Sequence, residues 1–151
     1  MVLNRHRKAF TLIEVLIVVV IMAILAATII PQFSSSTQDA KQSSLDFNVH
    51  TLQSQIELYK VHHLGNYPTI TGTDLPQLTH ETDASGTVNA GASNPTTYPY
   101  GPYIVGELPN NPINDLNTVV AGTGAAGDGT SGWQYNASSG RIWPNNTGWT
   151  P

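Results

Sequence analysis

The chain contains no cysteine, which excludes disulfide bonds, thiolate metal ligands and a cysteine nucleophile. It is also poor in charge. Only 11% of its 151 residues are Asp, Glu, Lys or Arg, against about 25% in an ordinary soluble domain. Glycine and proline, with 13 and 10 residues, fill part of this gap. The chain therefore has room for one small domain that is rich in turns.

Basic residues are scarce beyond the first nine positions. Three of the six lysines and arginines lie within residues 1–9. A chain that begins at Phe10 sets the other three against ten carboxylates and carries a formal net charge of −7. So acidic a chain has no basic patch to neutralise phosphates, which argues against nucleic acid as a main partner.

The one long apolar run covers residues 10–30 and is interrupted only by Thr11, Glu14 and Thr28. At about 1.5 Å per residue it predicts a helix of roughly 31 Å, which matches the ~30 Å hydrocarbon core of a bilayer. The basic residues before it predict a cytoplasmic N-terminus and an external remainder. A secretory signal places its small residue after a shorter apolar run, whereas Ala9 precedes this one.

Residues 31–64 are predicted to continue the same helix as its amphipathic half. Five apolar residues follow one another at spacings of four, three, four and three positions, which places them on one face of the helix. This face is expected to pack against the rest of the protein. We call it the packing face, and it consists of Leu45, Val49, Leu52, Ile56 and Tyr59. The helix is expected to kink or open at Pro31 and to end before Gly65 and Pro68.

Residues 65–151 lose the helical period and are predicted to form a globular head with a small antiparallel sheet. Residues 71–97 are expected to be a long loop with little that contributes to a core. Short strands are predicted at 103–108, 116–120, 132–135 and 141–143, the last two joined as a hairpin. The predicted fold class is α+β, with the long kinked helix packed on the sheet.

Residues 8–16, KAFTLIEVL, resemble the cleavage and N-methylation motif of type IV prepilins and type II secretion pseudopilins. The resemblance implies that residues 1–9 are a leader, which prepilin peptidase cuts between Ala9 and Phe10 before methylating the new amine of Phe10. The family usually has Gly before the cut, and Ala9 is expected to be processed at an equal or slower rate. The resemblance also implies that Phe10, Thr11, Glu14 and Pro31 serve assembly. In that arrangement Glu14 pairs with the N-terminal amine of a neighbouring subunit.

Later segments are similar to the major pseudopilin in the same order along the chain: residues 57–60, 66–69, 101–104 and 108–112. They imply a structural subunit, not an enzyme, of a type II secretion pseudopilus that supports protein export. The implied partners are further copies of the chain, prepilin peptidase, minor pseudopilins, the inner-membrane assembly platform and membrane lipid. The implied location is a single-pass inner-membrane protein with a periplasmic head, followed by a periplasmic or extracellular filament.

Two other functions stay open at this point. One is the major pilin of a type IV pilus for adhesion, motility or DNA uptake, although the chain lacks the cysteines of the C-terminal disulfide loop that many such pilins carry. The other is a membrane-anchored periplasmic binding module that never polymerises.

Metal and ligand sites have weak support. Major pseudopilins typically bind calcium in an acidic C-terminal loop, but residues 121–132 offer only Asp128, with Asp115 as a further donor. No cofactor is therefore expected, and calcium remains a weak candidate because its six to eight oxygen ligands usually include several carboxylates. His62 and His63 are expected to be surface or helix-end residues rather than zinc ligands. The aromatic residues are expected to cover the buried side of the sheet rather than stack on carbohydrate: Trp133, Tyr135, Trp143 and Trp149.

Overall fold

A computed structural model describes residues 10–149 of the chain, and for residues 30–35 it describes the backbone alone. The elements in chain order are α1 (Leu12–His62), α2 (Pro76–Thr79), β1 (Val119–Ala121), β2 (Trp133–Asn136) and β3 (Arg141–Pro144). A long N-terminal helix and a small sheet confirm the predicted α+β class.

The chain divides into two compact units, Met1–Ala40 and Lys41–Pro151, which we call the N-terminal unit and the C-terminal unit. Within the N-terminal unit, Leu12–Ile29 has a mean hydropathy of 3.0 and none of it is buried. By length and composition this is the one helix among the described residues able to cross a membrane. An exposed helix that is apolar all round requires lipid or other helices around it.

The packing face of α1 enters the core of the C-terminal unit. Leu52 and Ile56 are fully buried, Leu45 and Tyr59 are nearly so, and Val49 packs against them at the edge. Burial of one such side chain contributes about 1.5 to 3 kcal/mol. The rest of the core comes from α2, the loops and the sheet: Leu75, Leu78, Leu108, Val119, Trp133, Tyr135 and Ile142.

The sheet is mixed, whereas the sequence predicted an antiparallel one. β2 and β3 pair in antiparallel fashion as the expected hairpin, with Asn136 opposite Arg141. β1 and β2, however, run parallel, with Val119 opposite Trp133. Parallel neighbours need a connection long enough to return the chain to the same end of the sheet. Residues 122–132 provide that return.

The predicted strand at residues 103–108 is wrong, because this segment forms bends and no ladder. Its Tyr103 and Ile104 N–H groups both donate to the Leu78 carbonyl, at 2.8 and 2.9 Å. Gly106 has a φ of 87°, a left-handed conformation that interrupts any extended run. The strand predicted at 116–120 is shorter and shifted, at Val119–Ala121.

The prediction that residues 71–97 contribute little to the core is also wrong. Leu75, Leu78 and Thr82 are all fully buried. α2 begins at Pro76, a favoured first helical residue, and its single turn places Leu75 and Leu78 on one side. A helix of four residues is too short for periodicity to reveal it.

We expect Gly132→Ala to lower the stability of the C-terminal unit by about 2 to 3 kcal/mol, because a Cβ there collides with the backbone carbonyl of Leu116. Thermal unfolding of the full-length chain in detergent, followed by tryptophan fluorescence, measures the change. Gly91→Ala is the matched control, since its new methyl group meets only the Asn89 side chain at 3.5 Å. Equal unfolding midpoints for the two variants would contradict the close approach of residues 116 and 132.

Candidate functional site

Thr11 and Glu14 form a reciprocal cap at the start of α1. The Glu14 N–H donates to Thr11 Oγ1 at 3.3 Å. In return, the Thr11 N–H and hydroxyl donate to Glu14 Oε2 at 2.9 and 2.8 Å. This is a capping box, in which a Thr side chain and a Glu three residues later satisfy donors of the first helical turn. The spacing Thr-x-x-Glu is the sequence signal of this cap, although the prediction made for Glu14 concerned only its charge.

The cap leaves part of the carboxylate available. Both hydrogen bonds that Glu14 accepts go to Oε2, and among the described residues Oε1 has no partner. Glu14 shares an exposed, apolar surface of the helix with Phe10, Val15 and Val18. A carboxylate in a bilayer costs about 2.5 to 3.5 kcal/mol on insertion scales, so it requires a compensating partner. An ammonium group from another chain is a suitable one for Oε1.

Two predicted features of this region are not tested by the structure. The leader and Ala9 lie outside the described residues, so cleavage between Ala9 and Phe10 stays a prediction. Helix α1 continues without a break across Pro31, of which only the backbone is described. The kink predicted at Pro31 therefore also stays a prediction.

His63 lies in an aromatic cluster that no pattern in the sequence predicted. It is only 1% exposed, and its ring stacks on Tyr59 with centroids 3.7 Å apart. Its Nδ1 lies 2.7 Å from the Tyr59 carbonyl and must donate to it, while Nε2 lies 3.0 Å from Thr82 Oγ1. His62 instead contacts the Tyr103 hydroxyl at 3.0 Å. His63 is therefore a buried packing residue at the end of α1.

The aromatic residues of the sheet divide into two groups. Trp133 and Tyr135 are fully buried and donate to backbone carbonyls, Trp133 to Pro109 and Tyr135 to Pro68, both at 2.9 Å. Trp143 and Trp149 are half-buried at a shallow surface groove. The prediction that aromatics cover the buried side of the sheet thus holds for the β2 pair.

The calcium candidate Asp128 is already engaged by the protein. Its Oδ1 accepts from the Thr130 N–H at 3.0 Å, the Thr130 hydroxyl at 2.8 Å and Asn145 Nδ2 at 2.7 Å. These bonds, first that from the Thr130 N–H, hold the pKa of Asp128 below its ordinary value. No group of three or more His, Asp or Glu able to hold a metal occurs in the described part of the chain. One engaged carboxylate does not fit calcium, which takes six to eight oxygen ligands.

Comparison with known proteins connects the N-terminal motif to a family. Residues 4–30 match the family described as the prokaryotic N-terminal methylation motif. The type II secretion system core protein G of Aeromonas hydrophila is 32% identical over 109 residues, which cover 72% of this chain and 69% of that relative. No solved structure matches the chain.

Two further relatives match shorter stretches. The type II secretion system core protein G of Pseudomonas aeruginosa is 36% identical over 58 residues, 38% of this chain and 41% of the relative. The ComG operon protein 3 homolog of Bacillus licheniformis is 32% identical over 63 residues, 42% of this chain and 65% of the relative. The 109-residue match to the Aeromonas hydrophila protein extends well beyond the apolar helix, and the family assignment rests on it. The chain belongs to the family of the type II secretion system core protein G, the major pseudopilins.

Proposed function

We propose that this chain is the structural subunit of a type II secretion pseudopilus, a filament anchored in the inner membrane that supports protein export. The observation that carries the proposal is the start of α1, where a half-engaged carboxylate stands on an exposed apolar helix. Such a helix is stabilised by packing against copies of itself, and the carboxylate is then stabilised by a cationic partner. The family of the chain supports the same function.

In this proposal the leader keeps the N-terminus in the cytoplasm and the C-terminal unit reaches the periplasm, as the basic residues before Phe10 favour. Prepilin peptidase removes residues 1–9 and methylates Phe10. The mature subunits wait in the membrane and are then stacked by the inner-membrane assembly platform, together with minor pseudopilins. The chain itself carries out no reaction and acts by polymerising.

Processing is the first measurable consequence. We expect intact-mass spectrometry of the chain from its native envelope to show a mature protein that begins at Phe10 and is one methyl group heavier than the bare sequence. The same chain from cells that lack prepilin peptidase should retain all nine leader residues. Retention of residues 1–9 in cells with an active peptidase would overturn the filament proposal and favour a membrane-anchored binding module.

The kind of filament is tested separately. Shearing cells and imaging the medium by electron microscopy distinguishes a short pseudopilus, which releases few fibres at native expression, from a type IV pilus, which releases long ones. Abundant long fibres from cells with native expression would contradict the secretion function but leave processing and polymerisation intact.

A further inference from the structure

A network of buried amide side chains lies beneath the loop that connects β1 to β2. Asn111 is fully buried, Asn145 is 2% exposed, and Gln134 and Asn146 are 6% and 7% exposed. Ser131, which is 2% exposed, belongs to the network through its hydroxyl group. Buried amides are costly unless their donors and acceptors are satisfied. All buried side-chain N and O atoms within the described residues have a hydrogen-bond partner.

Asn145 is at the centre of this network. Its Nδ2 donates to Asp128 Oδ1 and to Ser131 Oγ, each at 2.7 Å. Its Oδ1 accepts from the Asp128 N–H at 3.2 Å and from Gln134 Nε2 at 3.1 Å. A backbone N–H only donates and a carboxylate only accepts, so the orientation of the Asn145 amide is determined by Asp128 alone.

Two other asparagines hold the end of the same loop. Asn111 Nδ2 donates to the Gly132 carbonyl at 2.8 Å and to Asn146 Oδ1 at 2.7 Å. Asn114 Nδ2 donates to the Ser131 carbonyl at 2.8 Å. Gln134 reaches further back and donates to the Ala125 carbonyl at 3.0 Å. Residues 125, 128, 131 and 132 are thus each tied to amides from outside the loop.

We propose that this amide network holds residues 122–132 in place of a bound calcium ion, so that the folded C-terminal unit is independent of calcium. A cation that bridged Asp128 Oδ1 and Ser131 Oγ would need the oxygen lone pairs that already accept hydrogen bonds from Asn145 Nδ2. The nitrogen is a donor located between two oxygens, where a metal site would have a cation. Among the described residues no buried side-chain oxygen lacks a hydrogen-bond partner, so the amide network leaves no buried side-chain oxygen for calcium to satisfy.

The wild-type comparison tests this proposal without any variant. The full-length chain in detergent is unfolded by heat, with tryptophan fluorescence as the signal, in excess calcium and again in excess EGTA. We expect midpoints within about 1 °C of each other, because a ligand that does not bind the folded state does not shift its unfolding. A midpoint lower in EGTA by about 5 °C or more would overturn the proposal.

Asn145→Asp tests the role of the amide. The change replaces the donor with a second carboxylate next to Asp128, so we expect its midpoint in EGTA to fall by about 5 °C or more. Asn136→Asp is the matched control: it adds the same charge, and its Oδ1 still accepts from the Ser138 and Ser139 N–H groups. Equal midpoints for the two variants would overturn the assignment. If Asn145→Asp does not fold, the amide is required, and the wild-type comparison decides the role of calcium.

Discussion

Glu14→Gln should abolish filament assembly while leaving membrane insertion and leader cleavage intact. Gln keeps the shape of the side chain and still accepts from Thr11, so the capping box at the start of α1 survives. Only the charge is lost. Removing one partner of an ion pair in an apolar environment costs about 3 to 5 kcal/mol, which corresponds to more than about a hundredfold in an association constant.

The measurement is the amount of filament released by shear from cells that overproduce the secretion system, by immunoblot and electron microscopy, with cleavage followed by mass spectrometry. Thr11→Ser is the matched control, because a serine hydroxyl preserves the cap. It should assemble as the wild type does. Normal filament yield from Glu14→Gln would show that Glu14 acts only as a cap of its own helix and not as a partner for a neighbouring amine.

Leu52→Asp should prevent the C-terminal unit from folding. Leu52 is fully buried on the packing face of α1 and belongs to the same hydrophobic cluster as Leu78 of α2 and Trp133 of the sheet. An unpaired carboxylate at this position loses the burial of the leucine and adds the desolvation of a charge. The sum exceeds about 4 kcal/mol, a large share of the roughly 5 to 15 kcal/mol that stabilises a typical domain.

Steady-state abundance of the full-length chain in membranes, and its resistance to limited proteolysis, report this loss. Leu58→Asp is the matched control on the same helix, since Leu58 is 43% exposed. It should leave abundance and protease resistance of the unassembled chain near those of the wild type. Equal resistance of the two variants would contradict the placement of the packing face in the core.

The parts of the fold that were predicted well depend on local patterns. A continuous apolar run and a repeat of three and four residues identify a helix without knowledge of its partners. The structure accordingly has one helix from Leu12 to His62, with Leu52 and Ile56 buried in the C-terminal unit. The hairpin of β2 and β3 was predicted for a similar reason, because its strands are joined by a short turn.

The wrong predictions concern segments whose conformation depends on distant residues. Residues 103–108 have strand-like composition, but the N–H groups of Tyr103 and Ile104 donate to the Leu78 carbonyl in α2 instead of to a strand. Leu75 and Leu78 look like loop residues in the sequence, but they belong to the same buried cluster as residues of α1 and of the sheet. Propensity is a weak guide where tertiary contacts override it.

For the candidate site, the sequence alone identified the N-terminal methylation motif, because residues 8–16 are contiguous and the motif depends on their order. Only the tertiary structure decided which groups donate hydrogen bonds to the Asp128 carboxylate. Asn145 lies 17 positions further along the chain, and Asn111 meets Asn146 across 35 positions. Hydrogen bonds of this kind depend on loop closure, which no local pattern encodes. The motif at the start of the chain can thus be identified from the sequence alone, whereas the amide network beneath residues 122–132 forms only in the folded protein.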